Sequence, residues 1–387
     1  MNTVKPKIEI ADLFRDNHQR LKNLTFHQKQ VIDDIINCRT EAMGAHVLKC
    51  DNSECGHEEQ SYNSCRNRNC PKCQYSAKEL WIEKRVDELL PVPYFHMVFT
   101  IPHLFNQLIL YNRKFFFNLL FQASQESVKE LMKTKYKATP GIISLLHTWG
   151  SAMPLHVHAH MLVTGGGIHL TEDRWVPARE NYSLSIKALS PVYRAVFVKA
   201  LRKLHDEGKL TLPPNLTSPF AFEDLINKSF HKNWVVYAKE PFAAPIHVVR
   251  YLGNYTHRIA FSNHRIIKVE NDRVFFNYKD YVNDIPEKKV MSLEIVEFLR
   301  RYLMHVVPKG FVKIRFSGIM AHVVRKKKIE LARELIAKSS KIKKEEIAKL
   351  EKIVSDYKAK YSLKAKDCEV CKKGKMMLVT EENYFGP

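Results

Sequence analysis

The sequence predicts a mixed α/β (α+β) protein with a cysteine-rich module ahead of its main domain and a basic helical tail behind it. Three observations predict this class. Apolar residues alternate with period two in some stretches and recur at helical spacing in others, so strands and helices are interleaved along the chain. Five of the eight cysteines fall between Cys50 and Cys73. Between Arg325 and Lys366 the chain carries 15 Lys or Arg against 6 Asp or Glu.

At 387 residues the chain is long enough for one large domain or two to three smaller ones. An apolar fraction of 45% and an aromatic fraction of 11% describe a folded protein rather than a disordered one. Lys and Arg number 62 against 41 acidic residues, a formal charge of +21, which points to a polyanionic partner. Nucleic acid is the first reading and an anionic membrane surface the second. The most apolar stretch, Tyr94 to Phe121, is broken by His96, Pro102, His103, Asn106, Asn112, Arg113 and Lys114, too polar to span a bilayer. The N-terminal MNTVKPKIEIADLF lacks the apolar core of a secretion signal, so the cytosol is the expected compartment. There, cysteines serve as metal ligands or free thiols rather than as a disulfide framework. No internal repeat is evident.

Residues 1–45 read as short helices whose apolar surface comes from Leu24, Phe26, Val31, Ile32, Ile35 and Ile36. The cysteine module comes next (46–90), ending in a helix from about Ser76 to Leu90 with Leu80, Trp81, Val86 and Leu89 at helical spacing. Pro91 and Pro93 stop that helix. The main domain (91–320) opens with the strand YFHMVFTIP (94–102) and some thirty helical residues. GIISLLHTW (141–149) and LHVHAHMLVT (155–164) then form a hairpin turning between Gly150 and Pro154, with Gly165-Gly166-Gly167 ending the second strand. Residues 168–244 leave room for an insertion. PIHVVRYLGNYTHRI (245–259) begins as a helix with proline in its first turn. RVFFNYKDY (273–281) and GFVKIRFSG (310–318) are further strands. In the tail (321–387), Ile342, Ile347, Leu350, Val354 and Tyr357 keep a helical stripe, making an amphipathic basic helix that either lies in solvent or touches nucleic acid.

Cys50-x4-Cys55 and Cys70-x2-Cys73 are two close pairs, and two short loops each giving a pair of thiolates are the simplest tetrahedral zinc site. Gly56 permits the tight turn after Cys55. Arg66, Arg68 and Lys72 around the second pair would reach phosphates. Cys65 and His57 are left over, as replacement ligands, as part of a second ion's site, or as an idle thiol and imidazole. Cys368-x2-Cys371 followed by Gly374 looks like half of a further zinc knuckle with no partner pair nearby in sequence.

His156, His158 and His160 lie on one face of their strand, because side chains alternate; same-face neighbours stand about 6.8 Å apart. Two adjacent imidazoles can therefore share one metal, and a third ligand must come from a neighbouring strand. A hairpin turning near Ala152–Met153 sets His147 opposite His158. On the helix begun at Pro245, Tyr251 and Tyr255 are four apart and share a face. A phenol, with a pKa of about 10, needs a metal or cation near the phosphate to attack it. By spacing alone, these histidines could be ordinary buried or surface residues, and tyrosines four apart on a helix are more often core or interface residues.

Several segments, in this order, resemble the transposases of the insertion-sequence-91 family, rolling-circle enzymes within the HUH endonucleases. They are NSCRNRNCPKCQ (63–74), HMVFTIPH (96–103), LHTWG (146–150), HVHAHMLVTGGG (156–167), YLGNYTHRIAFSNHRI (251–266), NYKDY (277–281) and LMHVVPKGFVKIRFSG (303–318). The resemblance implies an HUH endonuclease domain over 91–320, with a central antiparallel sheet flanked by helices. It implies that His158 and His160 are the metal-binding pair and that Tyr251 and Tyr255 are the nucleophiles; the hairpin, together with the spacing in related relaxases, makes His147 the third ligand, and His156 is assigned a supporting role. It implies Mg2+ or Mn2+ at the catalytic site and structural Zn2+ on Cys50, Cys55, Cys70 and Cys73; by their own spacing, Cys65, Cys368 and Cys371 are candidates for additional zinc. One departure is Asn69, where the family commonly has histidine.

The resemblance also implies a transposase that nicks and rejoins single-stranded DNA at element ends and target through a 5′-phosphotyrosine, in the bacterial cytoplasm at the nucleoid. Arg250, Arg258, Lys279, Arg66 and Arg68 are the expected DNA contacts. No nucleotide cofactor is needed, and the chain has no G-x-x-x-x-G-K-[ST] loop. A rolling-circle replication initiator or relaxase would use the same chemistry. A non-catalytic zinc protein that binds single-stranded nucleic acid would share the charge and the aromatics.

Overall fold

Reciprocal caps set where the first helices begin. The Asp12 carboxylate accepts the Glu9 N–H at 2.9 Å at the head of α1 (Ile10–Asn17), which buries Ile10, Ala11, Leu13 and Phe14. At the head of α2 (Phe26–Asn37), Thr25 Oγ1 accepts from Gln28 N at 3.2 Å and Gln28 Oε1 accepts from Thr25 N at 3.0 Å. Val31, Ile32 and Ile35 of α2 are buried, whereas Phe26 is exposed. A hairpin follows, β1 (Ala45–Cys50) and β2 (Glu58–Tyr62), in which Cys50 alone is buried. α3 (Gln74–Val86) starts immediately after Cys73.

The computed structural model describes residues 8–178, 186–232, 234–238, 258–282, 285–339 and 366–379, together with 345, 348, 352 and 355. The chain divides into two compact units that are not consecutive stretches of sequence. One comprises 1–83, 257–306 and 356–387, and the other 84–256 and 307–355.

The second unit is built on an antiparallel sheet. Its elements begin with β3 (Tyr94–Thr100), α4 (Asn106–Tyr111) and the long α5 (Arg113–Tyr136). There follow β4 (Ala138–Trp149), β5 (Leu155–His169), β6 (Trp175–Pro177), α6 (Ile186–Asp206), α7 (Pro219–Phe230) and β7 (Val236–Ala238). Among the described residues of 168–244, which the sequence leaves open as an insertion, lie the helices α6 and α7, and β7 pairs with β3 in the central sheet.

In the first unit β8 (Ile266–Glu270), β9 (Arg273–Val282) and β10 (Ile285–Glu294) make an antiparallel meander that leads into α8 (Ile295–Met304). Phe261, Phe276 and Phe298 pack on one another there, with Phe14 edge-on to Tyr302. The second unit then gains β11 (Ile314–Gly318) and α9 (Arg325–Lys338), and the first gains β12 (Met376–Leu378). The rest of the basic stripe, from Ile342 to Tyr357, lies outside the described residues, as does the segment 245–257 predicted to begin as a helix. Among the described residues, no helix is long and apolar enough to cross a membrane.

The main sheet runs β11-β4-β5-β3-β7, and β6 pairs with the end of β5. α5 and α6 cover one of its faces. Gln125 of α5 donates to Ser144 Oγ at 3.1 Å, and Tyr193 of α6 stands edge-on to Phe99 with ring centroids 5.1 Å apart. Phe105, Phe116, Phe197, Tyr193 and Trp234 fill the layer between helices and sheet, all with ring contacts. The glycine triplet predicted to end β5 instead lies within the strand, which continues to His169. Glycine is needed here for close approach: a Cβ on Gly167 would sit 2.4 Å from the Thr139 carbonyl oxygen.

Candidate functional site

The turn between β4 and β5 decides what the sheet presents on its other face. Gly150 N–H donates to the Pro154 carbonyl at 3.1 Å, and Met153 adopts φ 61°. This closure sets His147 directly across from His158, while Leu145 faces His160. His158 and His160, two apart on β5, point the same way as His147 and away from Ser144, whose face is covered by α5. The three imidazoles converge: one nitrogen from each lies within 4.8 Å of the others. All three rings are buried.

Two contacts behind the rings fix which nitrogen faces the shared point. His158 Nδ1 lies 2.8 Å from the His156 carbonyl oxygen, which can only accept, so Nδ1 carries the proton and Nε2 keeps its lone pair. His160 Nδ1 is 3.0 Å from Nε2 of His96 on β3, and the two rings stack. Sequence spacing does not single out His96 as a ligand or a support. Its place comes from the β3–β5 register, in which Val98 faces His160 and His96 faces Leu162. His156 stacks on His103 with ring centroids 5.1 Å apart. Burial, and secondarily the neighbouring His103, hold the His156 pKa below its usual value. Three converging imidazoles, two of them with anchored outer nitrogens, are a donor set that fits a divalent metal ion.

The cysteines form two quartets, and the grouping expected from the sequence is corrected. Cys50 and Cys55 do not meet Cys70 and Cys73. Instead Cys38, Cys65, Cys70 and Cys73 converge, and Cys50, Cys55, Cys368 and Cys371 converge, each set within 4.8 Å. The physical reason is the β1–β2 hairpin. Cys50 at the end of β1 faces β12, whereas Cys70 and Cys73, just before α3, face Cys38 at the end of α2. In the first quartet Cys38 Sγ is 3.5 Å and Cys65 Sγ 3.6 Å from Cys73 Sγ. The Asn67 N–H points at Cys65 Sγ at 3.4 Å, a donor that favours thiolate. Hydrogen bonding with Cys65 and Cys70 lowers the Cys38 thiol pKa from its usual value. Cys38 escapes a reading by spacing because it stands alone, with no second cysteine within a knuckle's reach. His57 joins neither quartet among the described residues.

Of the expected DNA contacts, Arg66, Arg68, Arg258 and Lys279 belong to the first unit. Arg66 is exposed in the loop between Cys65 and Cys70, with φ 52°, while Arg68 is half-buried and its pKa is lowered by desolvation. Lys72 is held by Glu9 at 2.6 Å rather than presented to solvent. Arg258 and Lys279 are exposed, and Lys279 stands opposite Lys288 across the β9–β10 ladder. Arg250, Tyr251 and Tyr255 lie outside the described residues.

Comparison with known proteins bears directly on these sites. A family model described as "Putative transposase" matches residues 141–328, which include all three converging histidines. A second, described as a transposase zinc-binding domain of the insertion-sequence-91 type, matches residues 10–101. The chain is 35% identical to the "Putative transposase y4qJ" of Sinorhizobium fredii over 96% of its own length and 94% of the relative's. The chain belongs to the insertion-sequence-91 family of transposases. It is also 27% identical to the transposase for insertion sequence element IS801 of Pseudomonas savastanoi, over 76% of this chain and 70% of that one. No solved structure gives a significant match. The transposase thus carries a zinc-binding domain, and within the matched range the quartet complete in itself is Cys38, Cys65, Cys70 and Cys73. Four thiols at this spacing are the donor set of a structural zinc ion.

Proposed function

We propose that this transposase nicks one strand of single-stranded DNA at the ends of its insertion sequence and rejoins it at a target, driving rolling-circle transposition. The observation that carries the reading is the convergence of His147, His158 and His160 on one face of the main sheet. These three would hold a divalent ion, Mg2+ or Mn2+ by family resemblance, which supplies positive charge to a non-bridging oxygen of the scissile phosphate. His156 and His96 keep the ligand rings oriented through their contacts with His158 and His160.

Tyr251 or Tyr255 attacks the phosphorus in this reading. The phenolic oxygen forms the new bond, the bond to the 3′ oxygen breaks, and the phenolic proton is balanced by the proton the departing 3′-hydroxyl takes up. A 5′-phosphotyrosine conserves the bond energy for rejoining, so no nucleotide is consumed. The second tyrosine allows a further cut while the first strand end is held. Basic side chains of the first unit, Arg66, Arg258 and Lys279 among them, would contact phosphates, as would Arg250.

Incubation of the full-length protein with single-stranded element-end oligonucleotides and Mn2+ tests the reading. A denaturation-resistant protein–DNA adduct is expected, lowered by Tyr251→Phe or Tyr255→Phe, abolished in the double variant, and lost in His158→Ala and His160→Ala. A protein that binds the oligonucleotides yet leaves no adduct would be the non-catalytic binder instead.

A further inference from the structure

We propose that Cys50, Cys55, Cys368 and Cys371 form a second tetrathiolate zinc site, which makes the C-terminal segment 366–379 a structural part of the N-terminal zinc module. These pairs are more than 300 residues apart in the chain, since Cys50 and Cys371 are separated by 321 positions. Their sulfurs nevertheless lie 3.7 Å apart for Cys50 and Cys371, and 3.8 Å for Cys55 and Cys368. A tetrahedron of Zn–S bonds of about 2.3 Å has edges of about 3.8 Å. A disulfide would bring two sulfurs to about 2.05 Å. The spacing is that of ligands around a shared ion.

The backbone around the four sulfurs is built for the same purpose. β12 pairs antiparallel with β1, Cys50 opposite Met376 and Leu48 opposite Leu378. Asp51 fastens the two ends twice, its N–H donating to the Lys375 carbonyl at 2.9 Å and its carboxylate accepting the Lys375 N–H at 2.7 Å. Cys368 N–H donates to the Gly374 carbonyl at 2.8 Å, closing a knuckle loop, and Gly374 N–H points at Cys371 Sγ at 3.3 Å. A Cβ on Gly374 would stand 2.4 Å from Cys50 Sγ, so only glycine lets the loop close over the sulfurs.

Among the described residues, little apolar burial holds this junction. Besides the four cysteines, the local cluster contains, among the described residues, only Leu48 and Met376. Joining distant chain ends costs loop-closure entropy that so small a core does not offset, whereas a zinc ion bound by four thiolates does. The site differs from the Cys38 quartet in taking half its ligands from beyond residue 101, where the zinc-binding family match ends.

Zinc content of the purified full-length protein is the test. Two zinc ions per chain are expected, falling to one in the Cys368→Ser/Cys371→Ser variant and to one in Cys38→Ser/Cys65→Ser. A wild-type protein with a single zinc, or a Cys368→Ser/Cys371→Ser variant that keeps two, overturns the proposal. Since serine variants can fail to fold, the wild type is also titrated with Co2+ after zinc removal. Thiolate-to-cobalt absorption that rises through two equivalents supports the second site, and absorption saturating at one equivalent overturns it. Neither readout depends on DNA cleavage.

Discussion

Nε2 of His96, 3.0 Å from Nδ1 of His160, is the contact on which the orientation of that ligand ring rests. If His160 offers its other nitrogen to a metal, Nδ1 must carry the proton and His96 must accept it. His96→Ala removes the acceptor and leaves a gap beside a buried ring. Mn2+ affinity, measured by calorimetric titration, is expected to weaken by about 10- to 100-fold, with the fold retained by circular dichroism. An unchanged affinity would show that His96 only fills space. His158 and His160 are legible as a pair because alternation along one strand needs no partner, and His147 because a hairpin turn is local. His96 is not, since its relation to His160 depends on a strand register 64 residues away. Cys38 is illegible for a similar reason, as its partners are reached only by the packing of α2 against the loop before α3.

Among the elements, β4 and β9 fall close to where alternation and turn residues predict them, β5 starts as predicted but runs past its glycine triplet to His169, and β11 keeps only Ile314–Gly318 of the predicted 310–318, while the hairpin turn at Gly150–Pro154 is confirmed by its hydrogen bond. The reading of α9 as a purely solvated or DNA-contacting basic helix needed tertiary information. Arg325 pairs with the half-buried Glu88 at 3.0 Å, and Arg333 donates to the Leu89 carbonyl at 3.2 Å, so two of its cations are structural. Ile329, Ala332, Leu335 and Ile336 form its buried stripe. In α8, hydrogen bonds from Arg300 and then Arg301 hold the Glu297 carboxyl at about 2. An unfolded glutamate titrates near about 4.3, so the folded value is depressed. The stability this pair lends is therefore present above pH of about 4 and lost as pH falls through about 2. Being partly solvated, the pair contributes no more than about 1 kcal/mol. Glu297→Gln is expected to lower the urea midpoint slightly at pH 7 and to match the wild type near pH 2. Equal midpoints at both pH values would remove the pair from the stability account.

For the whole molecule, a formal charge of +21 agrees with the DNA partner of a transposase. Each phosphate contact to a single strand contributes about −0.7 to the slope of log K against log salt. Fluorescence anisotropy with single-stranded element ends should give a slope steeper than about −2, made shallower by about 0.7 in Arg258→Ala or Lys279→Ala. A slope near zero would assign the charge to something other than phosphate binding.

Composition, period-two alternation and cysteine count determined from the sequence alone that this is a basic, mixed α/β protein with paired histidines on one strand and thiols suited to metal. These are local properties, set by side-chain chemistry and by the geometry of the extended chain. Which thiols share a quartet, which ring steadies His160, and that 366–379 joins β1 were decided only by tertiary structure. Such choices depend on strand register and on segments hundreds of residues apart, and nothing in a linear spacing records the pairing of distant backbones.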